Sequence, residues 1–120
     1  MATDMHLFMQ FLRGIVLPLP GVNEKMHFED QAFYVNDKIF ANVKFKDEVL
    51  AIHTLEREKW IEKDPHTFFI TPHYLKYKYM AVRLETVSPD DVKTLLITAY
   101  LARATKKLIK EYEEMLENFD

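Results

Sequence analysis

The chain has 120 residues, 48% hydrophobic and 29% charged, the make-up of one globular domain large enough to fold without staples. It contains no cysteine and only two glycines, which excludes disulfides, thiolate metal sites, cysteine nucleophiles and a glycine-rich phosphate cradle. The net charge of −3 is unevenly spread: residues 38–83 hold nine basic against six acidic groups, which permits an anionic partner without requiring one.

The first expected element is a helix. Thr3 is placed to cap it, with Asp4 in its first turn near the positive end of the helix dipole. Met5, Phe8, Met9, Leu12 and Val16 recur at three- and four-residue spacing and make one apolar face. Leu17-Pro18-Leu19-Pro20-Gly21 ends the helix, because proline lacks the amide hydrogen and disfavours a helical residue before it. This N-terminal stretch lacks the basic region of a signal peptide, and no apolar run approaches the ~20 residues of a membrane span. The expected location is the cytoplasm.

Residues 32–35 read as a strand, and Asn36-Asp37 tolerate the left-handed backbone of a tight hairpin. Ile39, Ala41, Val43 and Phe45 then alternate with Phe40, Asn42 and Lys44. Period two predicts the first set buried and the second set wet. Lys46-Asp47-Glu48 is a polar turn, and residues 49–53 form a strand apolar enough to be central. Thr54 is placed to cap a short helix over residues 55–63, closed by Asp64-Pro65 and packed through Trp60. Residues 67–71 read as a short strand or extended lead-in, and residues 72–78 as a loop. Residues 80–84 read as a strand with Ala81 and Arg83 opposite Met80, Val82 and Leu84.

The last helix is the clearest. Ser88 caps it, Pro89 takes the first helical position, and Asp90 and Asp91 fill the first turn. Its apolar spacing runs from Val92 to Leu116, with room for a broken turn near Thr105. The sum is one α+β domain over residues 1–120, a two-layer sandwich with an antiparallel sheet covered by N- and C-terminal helices.

Several motifs recur in a definite order. They are Leu19-Pro20-Gly21-Val22 with Glu24, Ala32-Phe33 with Val35, Lys38-Ile39-Phe40-Ala41, Thr71-Pro72-His73-Tyr74-Leu75, Ala99-Tyr100 and Lys106-Lys107-Leu108. Together, over about residues 7–110, they resemble the MmcQ/YjbR family of small bacterial proteins. The family usually has Gly-Trp where this chain has Tyr79-Met80, and often tryptophan where Tyr100 stands. The resemblance implies a CyaY-like α+β fold and a DNA-binding role, for which a double-wing mode is suggested.

The best candidate surface is the basic and aromatic stretch of Tyr74, Lys76, Tyr77, Lys78 and Arg83, with Tyr79 among them. Lysine and arginine can neutralise phosphates, and tyrosine can stack on bases. Lys38, Lys44 and Lys46 join the set if the wet face of the hairpin lies nearby. The plainer reading is that the tyrosines anchor a loop and the lysines solvate it. Arg103, Lys106, Lys107 and Lys110 would share a helix face, as a backbone contact or as a solvated surface beside Glu111, Glu113 and Glu114.

His53, His66 and His73 would bind metal only if the fold brought them together, and no His-Glu-x-x-His motif is present. Ser88, the only serine, reads as a cap, and Glu29/Asp30 and Asp90/Asp91 sit where structural roles suffice. The expectation is therefore a non-enzymatic binding module without a cofactor, its partner double-stranded DNA and not a membrane. Two alternatives stay open. One is a small-molecule or metal site between sheet and loop using His53, His66, His73 or Tyr74. The other is a protein-interaction or oligomerisation module.

Overall fold

The structure, a computed structural model, describes residues 4–118. Helix α1 spans Met5–Val16 and buries Met9, Leu12 and Val16, the expected face. The cap expected at Thr3 lies outside the described residues. Asp4 caps the helix instead of lying in its first turn, its Oδ1 accepting from the Leu7 amide at 3.2 Å.

The sheet contains β1 (Asn23–His27), β2 (Asp30–Val35), β3 (Lys38–Lys44), β4 (Val49–His53), β5 (Phe68–Phe69) and β6 (Tyr79–Arg83). Its order is β1-β2-β3-β4-β6-β5, and every neighbouring pair is antiparallel. The Asn36-Asp37 turn has φ of 53° and 59°, the left-handed pair that a two-residue hairpin requires. β4 is central and buried along its whole length, as its apolar run implies.

Strand β1 has no counterpart in the sequence reading. Asn-Glu-Lys-Met-His is a polar edge strand with no fully buried position, so it carries no apolar alternation. Ionic contacts hold it. The Arg13 guanidinium of α1 grips Glu24 with two bonds of 2.8 and 2.7 Å, and Lys25 lies 4.8 Å over the Tyr34 ring.

The helices cover one face. Helix α3 (Pro89–Arg103) packs on β3 and β4, and α1 packs beside it. Leu12, Phe33, Leu50, Ile52, Leu96 and Tyr100 are among the core side chains sealed between the layers. This is the expected two-layer α+β sandwich. Among the described residues no helix is long and apolar enough to cross a membrane.

Three expectations need correction. The register slips between Phe33 and Tyr34 of β2, so β3 carries an extra residue at Phe40. That bulge turns Phe40 into the core, edge-on to Tyr100 at 6.0 Å, and leaves half-buried Ile39 to line the opposite face. Second, helix α2 (Arg57–Lys63) starts later than residue 55. Thr54 accepts from the Glu56 amide at 3.1 Å in a local turn and does not cap the helix. Third, the broken turn that the spacing allowed near Thr105 is present, and it divides the basic set: α3 ends before Ala104, and α4 (Lys106–Glu117) starts anew with Thr105 as its cap. Arg103 therefore sits on a different helix from Lys106, Lys107 and Lys110, and the four share no helix face.

Helix α4 lies close against the turn after α1. Gly21 has φ of +77°, and a Cβ there would stand 2.7 Å from a Leu108 methyl.

Candidate functional site

At one end of the sheet β3 begins, β4 ends and β6 begins, so Lys38, His53 and Tyr79 meet there. The last turn of α3 delivers Arg103 to the same place. The loop before β6 completes the wall. Arg57 of α2 donates through Nη1 to the carbonyls of Tyr74 and Tyr77, both at 2.7 Å, and of Tyr79 at 3.2 Å. The Thr54 amide donates to the Lys78 carbonyl at 2.9 Å. With its backbone so pinned, the loop presents Lys76 and Lys78 outward, and neither makes an ion pair with a described residue.

The result is an open cleft of about 440 Å³ lined by Lys38, Lys76, Lys78 and Arg103 around His53 and Tyr79, with no carboxylate in its wall. The Tyr79 hydroxyl donates to the Ile39 carbonyl at 2.7 Å and receives a long contact of 3.4 Å from Arg103. The Arg103 Nε is buried without a partner among the described residues. His53 is 7% exposed, and its Nδ1 is likewise unpartnered. Burial, then the charges of Arg103 and Lys78, push its pKa down to about 4. The floor is thus a neutral imidazole under four cations. Such a cleft can hold an oxyanion. Its wall contains no carboxylate, serine or thiol.

The candidate residues divide between places. Lys38, Lys76, Tyr77 and Lys78 gather at this cleft. Lys44, Tyr74 and Arg83 line a second cleft of about 470 Å³ on the open sheet face, which also contains Asp47. Lys44 lies 3.7 Å from Asp30, and Arg83 donates to the His66 carbonyl at 2.9 Å with its guanidinium 4.9 Å over the Phe69 ring. Lys46 stands exposed in the turn after β3 and lines neither cleft. Tyr74 is buried on the open face, and Tyr77 is exposed.

The open face also departs from expectation. The loop over residues 72–78 packs Tyr74 beside Lys44 and the small paired Ala51 and Ala81, so this face is not simply wet. Among the described residues no three His, Cys, Asp or Glu side chains come together, so His53, His66 and His73 do not converge. Arg57 and the junction of Arg103 with the loop lysines escaped the sequence reading. A clamp onto carbonyls leaves no periodic trace, and a cluster built from three chain segments has no sequence spacing.

An antiparallel meander under two helices, with its loop folded onto the open face, defines a small two-layer α+β domain. The YjbR family model matches residues 17–102, and the chain belongs to that family. In fold it is similar to the crystal structure of the Deinococcus radiodurans protein DR2400, which carries a DUF419 domain. That protein is 22% identical, with 85% of each chain covered and a TM-score of 0.71. A search of curated proteins finds no match.

Proposed function

We propose that this YjbR-family chain is a non-enzymatic, cytoplasmic binding module for double-stranded DNA that grips the phosphate backbone at the basic cleft. The observation that carries this reading is the convergence of Lys38, Lys76, Lys78 and Arg103 from three chain segments onto one carboxylate-free cleft. Four cations drawn together in a chain of net charge −3 repel one another, and a polyanion relieves that repulsion. Phosphate contacts position a protein without reading sequence, so the reading implies weak sequence preference. The acidic remainder of the chain keeps the affinity modest.

The test is binding of a fluorescent duplex over a range of salt concentrations. Affinity should fall linearly in log–log form, with a slope of about −0.9 for each phosphate neutralised. Lys76→Ala with Lys78→Ala should flatten that slope by roughly one to two units and weaken all duplexes alike. Arg83→Ala should do less, because its guanidinium is already engaged with His66 and Phe69. Absence of binding at low salt would sink the proposal.

A further inference from the structure

A third cleft lies on the open sheet face, beneath the rings of Tyr74, Tyr77 and Tyr79, and encloses about 270 Å³. Its floor includes Asn42, Ile39 and Ala51. Asn42 lies within β3, a position where an apolar or β-branched residue would pack better. It is 8% exposed, its Oδ1 is buried, and its amide makes no hydrogen bond with any described residue. A buried acceptor left unpaired costs about 1–3 kcal/mol, so Oδ1 stands ready for a donor that enters the cleft.

The rim adds a second signal. Phe28, at the tip of the β1–β2 hairpin, lines the same cleft yet is 89% exposed. Its φ is 57°, a left-handed conformation that a bulky side chain adopts only at a cost. The two-residue turn between His27 and Asp30 imposes that φ, and it leaves the exposed ring at the rim of the cleft.

We propose that this cleft binds a planar nitrogen heterocycle of purine size, held between the aromatic side chains and read by the Asn42 amide. A carboxamide presents a donor and an acceptor side by side, the complement of the adenine edge formed by N6 and N7. The terminal torsion of asparagine is soft, so a small rotation brings either end of the amide to the ligand. The volume falls just below the usual range for small-molecule sites, which suits a fused bicycle and excludes a large cofactor. The Asp30–Lys44 pair at the edge supplies a polar contact for an attached sugar. The base could belong to a free nucleoside or to an unstacked nucleotide in a strand. This inference does not depend on the basic cleft, since Asn42 is not part of that cleft.

The experiment is titration of the full chain with adenosine, guanosine and nicotinamide, following the Asn42 side-chain amide by NMR, and with a short single-stranded dA oligonucleotide as competitor. Adenosine should shift the Asn42 amide, and Asn42→Leu should weaken binding about tenfold while leaving the melting temperature unchanged or raised. That pairing separates a ligand residue from a structural one. Displacement of adenosine by the oligonucleotide assigns the base to a strand, and its failure to displace assigns it to a free nucleoside; both support the site. If Asn42→Leu fails to fold, Tyr77→Ala at the exposed rim gives the same reading of affinity. No shift of the Asn42 amide at millimolar concentration of any probe, or equal binding by Asn42→Leu, overturns the proposal. Its failure is distinct from failure of the DNA reading, which depends on Lys76 and Lys78.

Discussion

Replacing Tyr100 by phenylalanine removes one oxygen from the centre of the molecule. Tyr100 is fully buried, its ring edge-on to Phe40 and Tyr112, and its hydroxyl donates to the Pro20 carbonyl at 2.6 Å. That bond joins α3 to the turn after α1, across 80 residues of chain. Phenylalanine keeps the ring packing but leaves the Pro20 carbonyl unpaired, which costs about 1 kcal/mol at neutral pH. For a domain of this size that is roughly 3–6 °C in melting temperature. Burial first, then Glu111 and Tyr112, push the Tyr100 pKa from 10.0 up to about 12.

The folded state therefore holds this proton more tightly than the unfolded one. The hydroxyl's stabilisation is whole below pH 10 and is lost as the pH rises toward 12. At about pH 11 the loss reaches roughly 1.4 kcal/mol, enough to cancel the value of the hydrogen bond. Urea unfolding followed through Trp60, the single tryptophan, should show the wild type more stable at pH 7 and the two stability curves crossing near about pH 11. Other titrating groups cancel in the difference. A difference that stays constant from pH 9 to pH 11.5 would refute the reasoning.

Two further predictions concern the basic cleft. His53 is held neutral, with its pKa lowered from 6.5 to about 4, so the folded state binds fewer protons than the unfolded chain across that window. Its contribution is present above pH 6.5 and is lost as the pH falls toward 4, by about 3 kcal/mol in all. His53→Leu should flatten the acid limb of the stability profile, and an unchanged limb would count against the burial argument. Arg57→Ala should free the carbonyls of Tyr74, Tyr77 and Tyr79, raise amide hydrogen exchange across residues 74–79 and lower duplex affinity severalfold without touching a DNA contact. Unchanged exchange would show that the loop is held by its aromatic side chains alone.

The elements with strong periodicity were legible in the sequence: the apolar face of α1, the all-apolar β4, the Ser88-Pro89 start of α3. Each rests on local chemistry that survives folding unaltered. The misreadings came where tertiary contacts decide. β1 is polar and is bound by Arg13 from another element. Phe40 turns inward because a bulge shifts the register, which no count of alternating residues contains. Lys38, Lys76, Tyr77 and Lys78 were legible as a basic and aromatic set. Their junction with Arg103, and the diversion of Lys44 and Arg83 into contacts with Asp30 and His66, depend on chain crossings. Asn42 did leave a trace, as a polar residue inside an apolar strand, but alternation assigned it to solvent.

One loop serves both proposed sites. Tyr77 and Tyr79 line the basic cleft and the aromatic cleft alike, and Arg57 fixes the backbone beneath both. A ligand that orders the tyrosines on the open face lowers the cost of ordering Lys76 and Lys78 at the end of the sheet. Occupancy of one cleft should therefore favour occupancy of the other, by the same factor in each direction. The charge balance works the same way. An anion at the basic cleft offsets the repulsion that Arg103 and Lys78 exert on a protonated His53, so its pKa rises on binding. Backbone binding should then strengthen as the pH falls toward the lowered pKa of about 4, with His53 as the group that takes up the proton.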